Sequence, residues 1–336
     1  MKAVICSALS DDIGTVRLTE VEIGDPGPGE VQVGLKACAV NFPDLLMIQG
    51  KYQFKPPLPF APGSEGAGDV IAVGTGVTDL KKGDRVVISM RYGGFAEAIN
   101  VPAGAVQFIP GEMSYAKAAS YQTAYLTAYV ALVRRGNLKK GETLLVHGAT
   151  GGVGMAAVDI GKWLGANVIA TGGRDDKLAV VKARGADYVV NYTRADGSLG
   201  GFRDEVKLLT DGRGADVIYD PVGGDVFDES MRCVNWGGRI LTIGFTSGRW
   251  PQAPVNLILI KQIAVIGVRA GEFGRRDPEK GRENRATLHA MAAAGEIDPH
   301  VCSGFPLDEA VDAMRMLENR EVVGKVVVTM NGYELP

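Results

Sequence analysis

Residues 148–154, Gly-Ala-Thr-Gly-Gly-Val-Gly, carry a spacing whose chemistry can be named from the backbone alone. Gly148, Gly151, Gly152 and Gly154 let the chain turn tightly and bring main-chain N–H groups up to a ligand with no Cβ in the way, and Thr150 and Val153 complete the turn. The run 143–147 before it is apolar and strand-like, and the stretch from Met155 to Leu164 after it is helix-like. Strand, glycine turn and helix in that order form a cradle for a pyrophosphate, because the helix start offers unpaired N–H groups and the positive end of its dipole. The same glycines without that context would mark only a surface turn.

A second group of residues sits where such a cradle reads the adenosine ribose, about 20 positions beyond the last glycine. That position is Arg174, in the run Thr171-Gly172-Gly173-Arg174. Gly173 leaves space, and the guanidinium suits a 2′-phosphate where an acid would bind the ribose hydroxyls of NAD. Lys177, one helical turn further, and Tyr192, after the next strand, can converge on the same phosphate. Asp175 and Asp176 are the competing NAD-type acids, but they read better as first-turn residues that stabilise the helix starting there. The expected cofactor is therefore NADPH (NADP). Val222 in Asp220-Pro221-Val222-Gly223-Gly224, the pair Gly244 and Phe245, and Val268 stand at carboxyl ends of apolar runs, where ligands bind in open α/β sheets; ordinary loop chemistry is the alternative.

A metal site is not legible. Cys6, Cys38, Cys233 and Cys302 are scattered without CxxC spacing, and His147, His289 and His300 lie far apart, whereas tetrahedral zinc needs three or four nitrogen or sulfur ligands held together. His147 reads as a strand-end residue beside the glycine turn.

These residues need a scaffold, and the 336-residue chain with 46% hydrophobic content is large enough for about two domains. A net charge of −3 argues against nucleic-acid and anionic-membrane partners. No stretch approaches the roughly 18 uninterrupted apolar residues of a membrane span. Unpaired cysteines and the lack of a signal-peptide core lead to the expectation of a cytoplasmic protein. Residues 1–123 show short apolar or alternating segments such as 31–37 and 84–88, broken by Gly and Pro clusters, as in a β-rich, partly open barrel. Residues 124–268 change pattern: apolar runs at 143–147, 167–171, 187–190, 215–219, 238–244 and 263–268 alternate with helix-length stretches, the signature of a doubly wound parallel α/β sheet. Residues 269–336 are expected to return to the first domain, with an exposed loop over 271–284, an amphipathic segment over 307–319 and a last strand over 324–329.

With these residues in view, the chain resembles the medium-chain dehydrogenase/reductase superfamily, and within it the zinc-independent, zeta-crystallin-like quinone oxidoreductases. The likeness is carried by Ala39-Val40-Asn41-Phe42-Pro43-Asp44, Pro62-Gly63-Ser64-Glu65-Gly66-Ala67-Gly68, Gly83-Asp84-Arg85-Val86, the glycine turn, Tyr219-Asp220-Pro221-Val222-Gly223-Gly224 and Val323-Gly324-Lys325-Val326. Zinc-dependent members carry a metal-binding Cys where this chain has Asn41 and a His where it has Ser64. The resemblance implies a GroES-like β-rich catalytic domain, a Rossmann domain, and NADPH in a cleft passing hydride to a quinone or to the β-carbon of an α,β-unsaturated carbonyl. It implies that Asn41 and Tyr52 line the cleft near the nicotinamide, with Tyr52 either donating a hydrogen bond to the reduced oxygen or only lining the wall. The alternative reading of Asn41 is that it satisfies backbone groups of its own turn. Thr123 and Thr127 stand at the start of the cofactor domain, and Arg320 and Lys325 approach the cofactor phosphates. Some quinone reductases of the family have a tyrosine where this chain has Leu46, which shifts the expectation toward an alkene substrate. Homodimers or homotetramers joined through the edge of the Rossmann sheet are also implied, with 265–268 as the joining strand. The alternatives are an enoyl-thioester or haloacrylate-type reductase, whose basic rim would draw on Arg91, Arg134 and Arg135, and a non-catalytic NADPH-binding relative of the crystallin type.

Overall fold

The computed structural model describes residues Met1–Pro336, which divide into two compact units: Met1–Thr123 with Ala292–Pro336, and Ala124–Met291. The first unit begins with β1 (Lys2–Ile5), β2 (Arg17–Glu20), β3 (Glu30–Ala39), α1 (Phe42–Ile48), β4 (Glu65–Val73), β5 (Arg85–Ser89), β6 (Ala98–Pro102) and β7 (Val106–Phe108). The helix α2 (Tyr115–Tyr129) then carries the chain across the boundary and continues as a π-helical turn over Val130–Arg135.

The second unit holds β8 (Thr143–Val146), α3 (Gly152–Trp163), β9 (Asn167–Gly172), α4 (Asp175–Ala183), β10 (Tyr188–Asn191), α5 (Phe202–Leu208), β11 (Ala215–Asp220), α6 (Gly224–Cys233), β12 (Val234–Thr242), α7 (Val255–Lys261), β13 (Ala264–Gly267), α8 (Ala270–Arg276) and α9 (Pro278–Ala293). Its six strands are all parallel, in the order β10-β9-β8-β11-β12-β13. Both faces of the central strands are covered, which explains their unbroken Val/Ile/Leu texture: Leu144, Leu145 and Val146 are fully buried. The strand order reverses between β8 and β11, and the glycine turn leaves β8 at that switch point.

The return segment adds β14 (Val301–Pro306), α10 (Ala310–Glu318) and β15 (Lys325–Thr329) to the first unit. Its main sheet runs β14-β15-β3-β4-β5-β7, with β6 also on β3. β15 lies antiparallel to β3 with Val327 opposite Ala39, which brings Lys325 beside the residues that follow β3. No helix of the chain is long and apolar enough to cross a membrane.

Two expectations about the tail are corrected. Residues 271–284 are helical rather than an exposed loop, and the return to the first unit comes at Ala292 rather than at 269. α9 buries Gly281, Asn284, Leu288, Met291 and Ala292 on one face, a helical stripe that begins with a glycine and a polar residue and so hides the apolar period. Arg134 holds that polar member through Asn284 Oδ1 at 2.8 Å and pairs with Glu283 at 2.9 Å, so α9 is fastened to the π-helical turn within the second unit.

Candidate active site

In the second unit, α3 starts at Gly152, three residues earlier than the sequence pattern suggests, so Gly152 and Val153 form the first helical turn itself. Gly151 is its N-cap and contributes no side-chain acceptor, which leaves the N–H groups of the helix start directed at whatever binds there. Gly148 has φ +55°, a conformation natural to glycine. At Gly154 a Cβ would lie 2.2 Å from Gly148 O, so only glycine lets the helix sit this close to the turn. Gly151 differs. Its φ is −88° and a Cβ there would meet nothing nearer than Gly148 O at 3.6 Å, so the protein's own packing does not require glycine. A methyl group would occupy only the open space of the cradle, and this fits a pyrophosphate that approaches the backbone closely.

At the end of β9, Gly173 is flanked by Thr193, whose Oγ1 would be 3.1 Å from an added Cβ. Arg174 is the N-cap of α4, its side chain 62% exposed, and its guanidinium forks onto Asp176 at 3.0 and 2.6 Å. That pairing holds the Asp176 carboxyl below its ordinary value. Asp175 accepts from Asn191 at 2.8 Å, and both acids lie in the first turn of α4. Lys177 and Tyr192 are buried where Arg174 is exposed, and Tyr192 packs in the apolar core beside Phe202.

His147 is fully buried between Thr171 Oγ1 and Ser230 Oγ, each 2.8 Å from a ring nitrogen. Ser230 spends its proton on Val226 O at 2.7 Å, so we assign Nε2–H of His147 as the donor to Ser230 and Nδ1 as the acceptor from Thr171. Burial drives its pKa down to about 3, and a neutral ring with both nitrogens engaged is a structural tie between β9 and α6. At the end of β11, Asp220 Oδ1 accepts the N–H groups of Val222 and Gly223 at 2.8 and 2.9 Å, and its Oδ2 is buried without a partner. Burial, partly opposed by those two bonds, raises this carboxyl to about 6. Gly244 lies against Pro221, Phe245 against Gly223, and Val268 closes onto Thr242 through its N–H at 3.0 Å.

The first unit holds a buried charged cluster. Lys325 Nζ donates to Asn41 Oδ1 at 2.6 Å, to Glu65 Oε1 at 3.0 Å and to Val40 O at 3.4 Å. An ammonium has three N–H donors and all three are in use. Lys325 is 6% exposed, so the expectation that it reaches for cofactor phosphates is corrected: pairing of β15 with β3 turns it inward. Asn41 is 7% exposed, with its amide nitrogen 3.0 Å from Glu65 Oε1 and 3.4 Å from Ala39 O. Asp44 accepts the N–H of Asn41 at 2.8 Å and of Gly63 at 3.1 Å. Burial outweighs those bonds and the nearby Lys325 charge, and pushes Asp44 up to about 7. Cys38, also buried here, has its thiol pushed well up by desolvation.

Glu65 and Asp44 were not singled out by sequence reasoning. The available signals were an acid inside the glycine-rich strand 63–68 and an acid three residues after Asn41. Tyr52 is half-buried against the first unit's core. Thr123 gives its backbone N–H to Glu65 Oε2 at 2.8 Å, and Thr127 lies one turn later in α2. Arg320 is exposed in the left-handed region just beyond α10, with φ 59°. The proposed basic rim is committed elsewhere in part: Arg91 stacks on Phe54 at 4.6 Å, and Arg134 is held by α9. No group of three or more His, Cys, Asp or Glu side chains comes together to hold a metal ion.

A glycine turn at the switch point of a parallel sheet wound in this order is the arrangement of the dinucleotide-binding folds. Residues 27–112 match the alcohol dehydrogenase GroES-like domain and residues 152–284 the zinc-binding dehydrogenase family. The chain is 39% identical over 330 residues to quinone oxidoreductase-like protein 2 homolog of Nematostella vectensis, covering 97% of this chain and 88% of that one. It is 35% identical to the synaptic vesicle membrane protein VAT-1 homolog of Homo sapiens, over 90% of this chain and 79% of that one. The crystal structure of Escherichia coli quinone oxidoreductase complexed with NADPH superposes with a TM-score of 0.87 at 30% identity, over 98% of this chain and all (100%) of that one. The chain belongs to the zinc-independent quinone oxidoreductase branch of the medium-chain dehydrogenase/reductase superfamily.

Proposed function

We propose that this oxidoreductase is an NADPH-dependent, metal-independent reductase of quinones or of α,β-unsaturated carbonyl compounds. The observation that carries the reading is the state of Asn41. The side chain at the position where zinc-dependent relatives place a metal-binding cysteine is tied to Lys325 and Glu65, leaving no donor set for a Lewis acid. Deprotonating an alcohol without one is difficult, so the natural chemistry is reduction of an acceptor that is already electrophilic. NADPH supplies the hydride.

The chain's own residues bind and orient. The backbone of Gly148, Thr150, Gly151, Gly152 and Val153 holds the pyrophosphate, and the guanidinium of Arg174 leaves Asp176 for the 2′-phosphate, beside Gly173. Val222, Gly244, Phe245 and Val268 line the strand ends; Thr127, Lys177, Tyr192 and Arg320 support the same ligand. Asn41, Thr123 and Tyr52 face the reacting groups, and the Tyr52 phenol donates to the acceptor oxygen or shapes the wall beside it. The E. coli relative's complex with NADPH supports the cofactor assignment.

The same reading includes a homodimer or homotetramer in the cytoplasm. β13 ends the Rossmann sheet as an open edge, and α7 beside it exposes Val255, Leu259 and Ile260 at 76, 78 and 68%. An edge of this kind invites pairing with a second copy.

The test is loss of NADPH absorbance with 1,4-benzoquinone, with an enone and with an acryloyl thioester. Turnover of the first or second supports the reading. Turnover of the thioester alone selects the enoyl-thioester reductase, and NADPH binding with no turnover selects a non-catalytic relative.

A further inference from the structure

Glu65 joins three chain segments through one carboxylate. Its Oε1 accepts from Lys325 and from Asn41 at 3.0 Å each, and its Oε2 accepts the backbone N–H of Thr123 at 2.8 Å. Thr123 lies well inside α2, where an N–H ordinarily serves the carbonyl four residues earlier. A side chain from β4 reaches this one as well. Glu65 is fully buried, so solvent does not compete for these bonds, and Lys325 supplies the counter-charge.

We propose that Glu65 is a positioning residue for the reduction, holding the Asn41 carboxamide and the α2 backbone at Thr123 in one register. This rests on the reading above that Asn41 and Thr123 face the reacting groups. The link spans 58 residues from Glu65 to Thr123 and 24 back to Asn41, so the local sequence of neither segment supplies it. Both oxygens are needed as acceptors, which makes the requirement specific. A glutamine keeps the shape but offers one oxygen acceptor and one NH₂ donor, so it serves the Lys325–Asn41 side or the Thr123 N–H, not both.

Glu65→Gln is therefore expected to lower kcat about tenfold or more, the scale of a lost charge-assisted hydrogen bond, while the Kd for NADPH stays within about threefold. In a cycle with Asn41→Ala the kcat effects are non-additive, the double variant being no slower than the slower single one. Amide exchange at Thr123 accelerates about tenfold or more relative to its helical neighbours. Should Glu65→Gln alone fail to fold, Lys325→Met/Glu65→Gln removes the unpaired ammonium and is compared with Lys325→Met. A lowered melting temperature with unchanged kcat, additive kcat effects, or unchanged exchange at Thr123 overturns the proposal. A wild-type protein that reduces none of the acceptors overturns the reaction reading and this role with it, while Thr123 exchange separately reports whether the link exists.

Discussion

Two ion pairs in this molecule look alike on paper and do opposite things. Arg174–Asp176 lies on the surface, both side chains 62% exposed, and joins residues two apart at the start of α4. Lys325–Glu65 is sealed, its side chains 6 and 0% exposed, and joins residues 260 apart. The first is screened by water, and the proposed function has it exchanged for a ligand phosphate. The second has every ammonium donor committed and a carboxylate shared among three segments. The charge proposed to meet a ligand is loosely held at the surface, and the charges proposed to shape the site are buried and saturated.

The largest effect expected from this contrast is on stability. Lys325→Met leaves Glu65 buried without its counter-charge and should cost about 3–5 kcal/mol in denaturant unfolding. A loss under about 1 kcal/mol, the range of an exposed pair, would erase the distinction. Arg174→Ala should leave unfolding unchanged and weaken NADPH by about 1.5–3 kcal/mol in calorimetry, with NADH nearly untouched. Equal losses for the two cofactors count against a 2′-phosphate site.

Two buried titratable groups, one from each unit, should respond to pH with opposite sign. His147 falls from 6.5 to about 3, so its neutral form contributes stability that is present above 6.5 and lost as pH falls toward 3. Asp44 rises from 3.8 to about 7, so its contribution is present below 3.8 and lost as pH rises toward 7. Each has a limiting slope of about 1.4 kcal/mol per pH unit. Relative to wild type, His147→Gln should flatten the acid-side loss and Asp44→Asn the loss on approach to neutrality; urea midpoints across this range that move in parallel for both variants would contradict the assignments. Gly151→Ala should likewise leave stability within about 0.5 kcal/mol, because the methyl enters open space, yet NADPH should bind about tenfold more weakly. Gly154→Ala, facing Gly148 O at 2.2 Å, should instead destabilise the fold itself.

What the sequence made legible follows the same division. The six parallel strands announce themselves as Val- and Ile-rich runs, and the glycine turn and Arg174 are local motifs whose spacing survives folding unchanged. The Lys325–Glu65–Asn41 cluster was not readable as such, because Lys325 and Asn41 stand 284 residues apart and meet only through the pairing of β15 with β3. The family resemblance sets Lys325 near the cofactor phosphates, and nothing in its local sequence reveals that the pairing of β15 with β3 buries it. α9 was hidden for a related reason: Asn284 lies in its buried stripe and accepts through Oδ1 from Arg134, a partner no local window contains.

The central claim is that hydride passes from NADPH to an electrophilic acceptor at a site held by Lys325 and Glu65 rather than by a metal. The most direct measurement is NADPH oxidation by 1,4-benzoquinone and by an enone before and after exhaustive chelation, with the zinc content of the protein determined alongside. The account predicts unchanged turnover and no stoichiometric zinc. Activity that disappears on chelation and returns with added zinc would contradict it.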